Sequence, residues 1–263
     1  MKCLYLAACM AVCVVGNVMA APISFSAAEG YTIGGLDGQP GSGSTWSCTA
    51  NVPTSIFSVS QSAPAPHQDF LRIQISNEHG TSSELVTPDY ATKRMIPVTS
   101  TFEAFFTCRM NGRDDATDQT AIALGQTADS GWGPYFGFNK TGAASLAVHE
   151  GTGWTELVSG LDASKWYDVE ISGDVGTGLF NVKIYDEAVH NANPALGLLY
   201  DDTHSFRDSP TELAYVMLTN EGSGQDTGAG SHTYDDLDLI PEPTTMGLLG
   251  LGLAGIVGRR KRE

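Results

Sequence analysis

Apolar and polar residues alternate with a period of two along much of the chain. Over residues 101–110, Phe102, Ala104, Phe106, Cys108 and Met110 fall on one face, and Glu103, Thr107 and Arg109 on the other; Phe105 alone breaks the polar side. Alternation of this kind marks a strand with one face in a core. Leu71, Ile73 and Ile75 alternate with Arg72 and Gln74, and Leu146 and Val148 with Ala147 and His149. Residues 166–172 turn Tyr167, Val169 and Ile171 one way, and residues 179–186 do the same with Phe180, Val182 and Ile184. The glycine-rich stretch 173–178 joins these two and predicts an antiparallel hairpin. A last segment, 234–240, alternates Leu237 and Leu239 with Asp236 and Asp238. Helical periodicity is nearly absent. Short one-faced strands separated by Gly, Asn, Asp and Pro predict an all-β, two-sheet antiparallel sandwich of the jelly-roll type. Loop composition interrupts the pattern at residues 29–44, 62–68 and 220–231.

The two ends follow different rules. Lys2 precedes an apolar stretch over residues 3–15 and the small-residue site Val18, Met19, Ala20. These are the three parts of a cleavable signal peptide, expected to end at Ala20. At the other end, Pro241, Glu242 and Pro243 precede a glycine-rich apolar run, 246–258, and then Arg259, Arg260, Lys261 and Arg262. That run is well short of the ~20 residues a comfortable transmembrane helix needs. Cations at its end favour insertion with that end in the cytoplasm, and their side chains can snorkel to headgroups and so partly offset the short length. The expected organisation is a signal peptide at 1–20, a β domain at 21–240 and a tail at 241–263.

Charge narrows the choice of partner. The 263-residue chain has a net charge of −16, and five of its basic residues, Lys2 and Arg259 to Arg262, sit in the end segments. The body is therefore more acidic still, which excludes a phosphate-tracking nucleic-acid surface. Cys3, Cys9 and Cys13 would leave with the signal peptide, so the body keeps Cys48 and Cys108. In an oxidising compartment one disulfide between them is expected, with two buried free thiols as the alternative.

The tail, read as Pro-Glu-Pro, a short Gly/Leu/Ala helix and an Arg-rich end, resembles the PEP-CTERM sorting signal. That resemblance implies an exosortase-type enzyme that processes the chain near Pro241, Glu242 and Pro243, with Arg259 to Arg262 retaining it in the membrane beforehand. It further implies export, a transient inner-membrane stage, and delivery to the cell surface or extracellular matrix. The ordinary alternative is a simple tail anchor. The body resembles the concanavalin A-like (laminin-G-like) lectin and glucanase fold, through the strand at 101–110, residues 146–150 followed by Trp154, the 166–185 hairpin and the acidic closing strand.

Chemistry is thinner. A hydrolase of laminarinase type would carry carboxylates two and four apart on one strand face. Asp168 and Glu170 share such a face, but Ser172 takes the third place, so both read as solvated strand-face charges. Asp235, Asp236 and Asp238, and the pair Asp201 and Asp202, offer oxygen ligands for a structural Ca²⁺ without the spacing of a dedicated loop. The six histidines are scattered and show no metal-ligand spacing. Trp132, Tyr135, Trp154 and Trp166 lie near glycine-rich turns and are the candidates for glycan contact, because an exposed indole presents a broad apolar face beside a polar edge. The reading favours a non-catalytic envelope or matrix protein that binds polysaccharide; a polysaccharide hydrolase or lyase is the alternative.

Overall fold

In the computed structural model the described residues are 23, 25–39, 44–48, 57–61, 67, 69–74, 89–111, 119–220 and 231–241. The chain divides into two units, residues 20–242 and the paired terminal segments 1–19 and 243–263; all described residues belong to the first. The expected signal peptide, Glu242, Pro243, the run 246–258 and Arg259 to Arg262 lie outside them, as does Ile75. Among the described residues no helix is long and apolar enough to cross a membrane.

The body is a sandwich of two antiparallel sheets, as the alternation predicts. In chain order the strands are β1 (Gly34–Gly35), β2 (Ser47–Cys48), β3 (Phe57–Gln61), β4 (Asp69–Gln74), β5 (Asp89–Val98), β6 (Thr101–Asn111), β7 (Thr120–Gly125) and β8 (Trp132–Phe138). They continue with β9 (Leu146–Glu150), β10 (Gly153–Val158), β11 (Tyr167–Asp174), β12 (Leu179–Asp186), β13 (Leu198–Ser205), β14 (Leu213–Asn220) and β15 (Ser231–Pro241). One short helix, α1 (Glu187–Ala192), follows β12. Eight strands form one sheet in the order β1-β3-β4-β15-β6-β11-β12-β13, and seven form the other in the order β10-β9-β8-β7-β14-β5-β2.

Alternation explains which side chains meet between the sheets. On β6, Phe102, Phe106 and Cys108 face the core; on β11, Val169 and Ile171 do so, and on β12, Phe180, Val182 and Ile184. Phe136 of β8 meets Phe106 edge-on at 5.7 Å and Phe180 at 5.9 Å, which locks the two sheets face to face. Each such side chain contributes about 1.5–3 kcal/mol on burial. The predicted hairpin is present, with Tyr167 opposite Asp186 and Asp174 opposite Leu179.

One expectation is refined and one corrected. Leu237 and Leu239 face the core as the alternation predicts, but a bulge between Asp235 and Asp238, where Asp236 takes a left-handed backbone with φ 51°, breaks the period after Tyr234. Tyr234 and Leu237 thereby both reach the core although three positions apart. Cys48 and Cys108 are both free thiols. Cys48 sits on β2 at the edge of one sheet, and Cys108 lies in the middle of the other between β11 and β15. Packed sheets stand ~10 Å apart, beyond the Cα separation of about 4.4–6.8 Å that a disulfide spans. Burial pushes the Cys108 thiol well up, so it stays protonated.

Candidate functional site

The seven-stranded sheet has a second apolar cluster on the face turned away from the main core. It comprises Ala121, Ala123, Trp132, Tyr135 and Met217, with Tyr90 and Trp154 packed against it. On β7, Ile122 and Leu124 point into the sandwich while Ala121 and Ala123 point out, and all six residues of the strand are buried. Period two is thus obeyed, but the outer face is covered as well. Small residues in the middle of the sheet make this cover close. A Cβ at Gly125 would stand 2.3 Å from the Trp132 ring, and one at Gly137 would stand 2.7 Å from the Trp154 ring. Both indoles therefore rest directly on backbone.

Around them opens a cavity of about 370 Å³ lined by Tyr90, Asp129, Trp132, Tyr135, His149, Trp154, Arg207 and Met217. That volume lies in the usual range of small-ligand sites, about 300–1,000 Å³. His149 and Trp154 face each other across the β9–β10 pair, with ring centroids 4.9 Å apart, and Tyr135 lies 5.9 Å from His149 and 5.4 Å from Trp154.

Arg207 reaches the cavity from the segment after β13, which is fastened to β8 by backbone. Arg207 N–H donates to the Gly133 carbonyl (3.2 Å) and Asp208 N–H to the Trp132 carbonyl (2.8 Å), while the Asp208 carboxylate accepts from Trp132 N–H (2.8 Å). The guanidinium then lies over the Tyr135 ring at 4.7 Å. Lys140 lies over Trp154 at 5.3 Å and donates to Gln119. Two of the few body cations thus flank one aromatic cluster.

Glu150, at the end of β9, ties this sheet to its neighbour. Its carboxylate accepts from Ser205 N–H (3.0 Å) and the Thr155 hydroxyl (2.9 Å) and pairs with His204 (3.2 Å). Partial burial works to raise its pKa, but the hydrogen bonds and His204 outweigh that and hold it below the ordinary value.

A different chemistry lies on the outer face of the eight-stranded sheet. His67 is buried between two carboxylates, with Nδ1 2.8 Å from Asp235 Oδ2 and Nε2 3.0 Å from Glu187 Oε1. Its ring packs on Trp166 at 4.3 Å. Burial opposes a charge on this imidazole, but hydrogen bonds to Asp235 and Glu187 outweigh it and hold the pKa up at about 10. Asp168 is 5% exposed, and burial, then the charge of Glu187, pushes its carboxyl up to about 7.

Of the four aromatics proposed from sequence, the fold brings Trp132, Tyr135 and Trp154 together and places Trp166 elsewhere. Trp166 is buried on the opposite sheet under His67, so it is not part of the cavity. Asp168, expected to be solvated, is instead buried, within electrostatic reach of Glu187 and His190 of α1 and of His67. The histidines, unpaired in sequence, do converge with acids in one place: among the described residues, His67, Asp235 and Asp236 hold ligand atoms within 4.8 Å of one another. Imidazole is not a Ca²⁺ ligand, so this set does not match the Ca²⁺ expectation. Asp201 and Asp202 are exposed and bind Asn181 and Thr203 N–H. Arg207, His149, Tyr90, Asp129 and Met217 were not singled out in the sequence; the one available signal was the rarity of basic residues in so acidic a body.

Comparison with known proteins agrees with both halves of the chain. The profile of the PEP-CTERM protein-sorting motif matches residues 239–262, so the chain is an exported, surface-directed protein that carries a PEP-CTERM tail on a β-sandwich body. Among solved structures, the catalytic domain of a glycoside hydrolase family 131 protein from Coprinopsis cinerea is similar in fold at 11% identity. Its TM-score is 0.51, over 86% of this chain and 95% of that one. An alginate lyase of polysaccharide lyase family 7 has a TM-score of 0.47 at 10% identity, over 71% of this chain and 82% of that one. Lectin II from Ulex europaeus has 0.42 at 12% identity, over 72% and 92%. At these identities the likeness concerns the fold alone, an antiparallel β sandwich. No curated protein matches the sequence.

Proposed function

We propose that the body is a polysaccharide-binding domain and that its ligand enters the cavity on the outer face of the seven-stranded sheet. The observation that supports this is the convergence of Trp132, Tyr135, Trp154, His149 and Arg207 in one cavity, because indole rims with a few placed polar groups suit sugar rings. Among the described residues, Asp129 is the one carboxylate in the lining. A glycoside hydrolase of the usual kind works with two, so the reading is binding without hydrolysis. His149, Tyr90 and Tyr135 are of the residue types that can take and return a proton, and Arg207 of the type that offsets the negative charge left behind, and this favours a lyase as the second reading.

The tail completes the proposal. Signal cleavage after Ala20, a transient inner-membrane stage held by Arg259 to Arg262, and exosortase processing near Pro241, Glu242 and Pro243 would deliver the body to the surface or matrix. Replacing Pro241, Glu242 and Pro243 with alanine should leave export intact and trap a longer form in the membrane, read by fractionation and intact mass. A glycan array with the purified chain tests the body. Retention of a polysaccharide that is lost in Trp154→Ala supports binding, whereas release of unsaturated uronate, seen as new ultraviolet absorbance, supports the lyase. The absence of both glycan retention and release of unsaturated uronate would sink both readings.

A further inference from the structure

We propose that His67, Asp235 and Asp236 form a binding site for a first-row divalent cation of the zinc class on the outer face of the eight-stranded sheet, opposite the sugar cavity. The three residues come from two distant parts of the chain, the segment before β4 and the closing strand β15. In a regular strand Asp235 and Asp236 would point to opposite faces. The bulge in β15 and the left-handed backbone of Asp236 bring both carboxylates to one side. His67 Nδ1 lies 2.8 Å from Asp235 Oδ2 and 3.8 Å from Asp236 Oδ2. Ligand atoms around a tetrahedral zinc ion, each ~2.0–2.2 Å from the metal, stand ~3.3 Å apart; the two sides from His67 bracket that spacing, and the three ligand atoms all lie within 4.8 Å of one another.

The surroundings are arranged as an outer shell. His67 Nε2, the nitrogen turned away from the two aspartates, is 3.0 Å from Glu187 Oε1, the carboxylate–imidazole–metal arrangement that fixes a ligand's tautomer and ring orientation. Asp235 Oδ1 accepts from Asp236 N–H at 2.9 Å and leaves Oδ2 directed at the site.

Two further observations point to a missing ligand. Thr107 lies directly opposite both Asp168 and Asp235 in the strand register, so its side chain shares their face. It is 2% exposed and its hydroxyl has no hydrogen-bond partner, as befits a group that would meet a water on the ion. The donor set points the same way. Four carboxyl groups, those of Asp168, Glu187, Asp235 and Asp236, gather around one imidazole on this face. A nitrogen among the donors selects zinc-class metals over Ca²⁺ and Mg²⁺. The ion would pin the His67 segment onto β15 and, through Glu187, onto α1.

The test uses the purified full chain, stripped with a chelator and titrated with Zn²⁺ alone, with Ca²⁺ and Mg²⁺ in parallel. Calorimetry and metal analysis after gel filtration should find one Zn²⁺ per chain, with a raised melting temperature and no competition from Ca²⁺. The Asp236 side chain is 33% exposed, so Asp236→Asn should fold, as circular dichroism would show, and weaken Zn²⁺ binding about tenfold or more. Glu187→Gln, removing the outer-shell acceptor, should cost about 10–100-fold with the stoichiometry unchanged. Sub-stoichiometric Zn²⁺, preference for Ca²⁺, or equal affinity in Asp236→Asn and the native chain would each overturn the proposal.

Discussion

The outer faces of the two sheets solve the same problem in opposite ways. A jelly roll needs one apolar face per sheet, and the other face is free to be polar. On the seven-stranded sheet that second face carries alanines and glycines under a ring of aromatics, and it opens into a cavity edged by Arg207 and His149. On the eight-stranded sheet it carries acids, closed over by His67, Trp166 and Glu187. The first face is built from surfaces that can accept an outside ligand without losing a charge partner. The second is a charge cluster in which every removal leaves something buried and unpaired. The difference separates the proposed recognition surface from a fastening, although both are buried faces of sheets in one domain.

The largest expected effect breaks the fastening. His67→Ala leaves Glu187 and Asp235 without their shared partner, and loss of one member of a buried pair costs about 3–5 kcal/mol; chemical denaturation should show it, with sugar binding at low temperature little changed. Next, Gly125→Val drives a branched side chain into Trp132, for an overpacking cost of about 1–3 kcal/mol. In that variant the cavity should be lost along with the stability, coupling what His67→Ala keeps apart. Trp154→Ala should do the reverse. About a tenfold loss of glycan affinity, ~1.4 kcal/mol, is expected with a nearly native melting temperature. If Trp154→Ala unfolds the chain and His67→Ala does not, the assignment of the two faces is inverted.

The smallest effect is the pH response of Glu150, which links the sheets. Its folded pKa is lowered, so the stability it contributes is present above the ordinary carboxylate value and is lost as pH falls through the lower folded one. Glu150→Gln should flatten that acid slope slightly, with a small loss of stability at neutral pH that shrinks toward zero in acid. An unchanged slope would show that Ser205 and His204 do not hold the carboxylate in solution.

Much of this architecture is written locally. Period-two alternation is set by backbone geometry, so Phe102, Phe106, Val169, Ile171, Phe180 and Val182 declare their face without reference to partners. The 167–186 hairpin and the motif around Pro241, Glu242 and Pro243 are contiguous, and each was legible residue by residue. Buried β7 and β8 were harder, since Thr120, Ala121 and Ala123 or Trp132, Gly133 and Pro134 make no clean alternation when both faces of a strand are covered. What neighbours what across the sheets is a different kind of information. Trp132, Tyr135 and Trp154 read like any aromatics near turns, and only the β8-β9-β10 pairing joined them and left Trp166 on the other sheet. The disulfide expected for Cys48 and Cys108 failed for the same reason, because sequence does not say which sheet a strand joins. His67 meets Asp235 across 168 residues of chain. Contacts at that separation are decided by strand order and by one bulge at Asp236, which no local pattern around any of the three residues encodes.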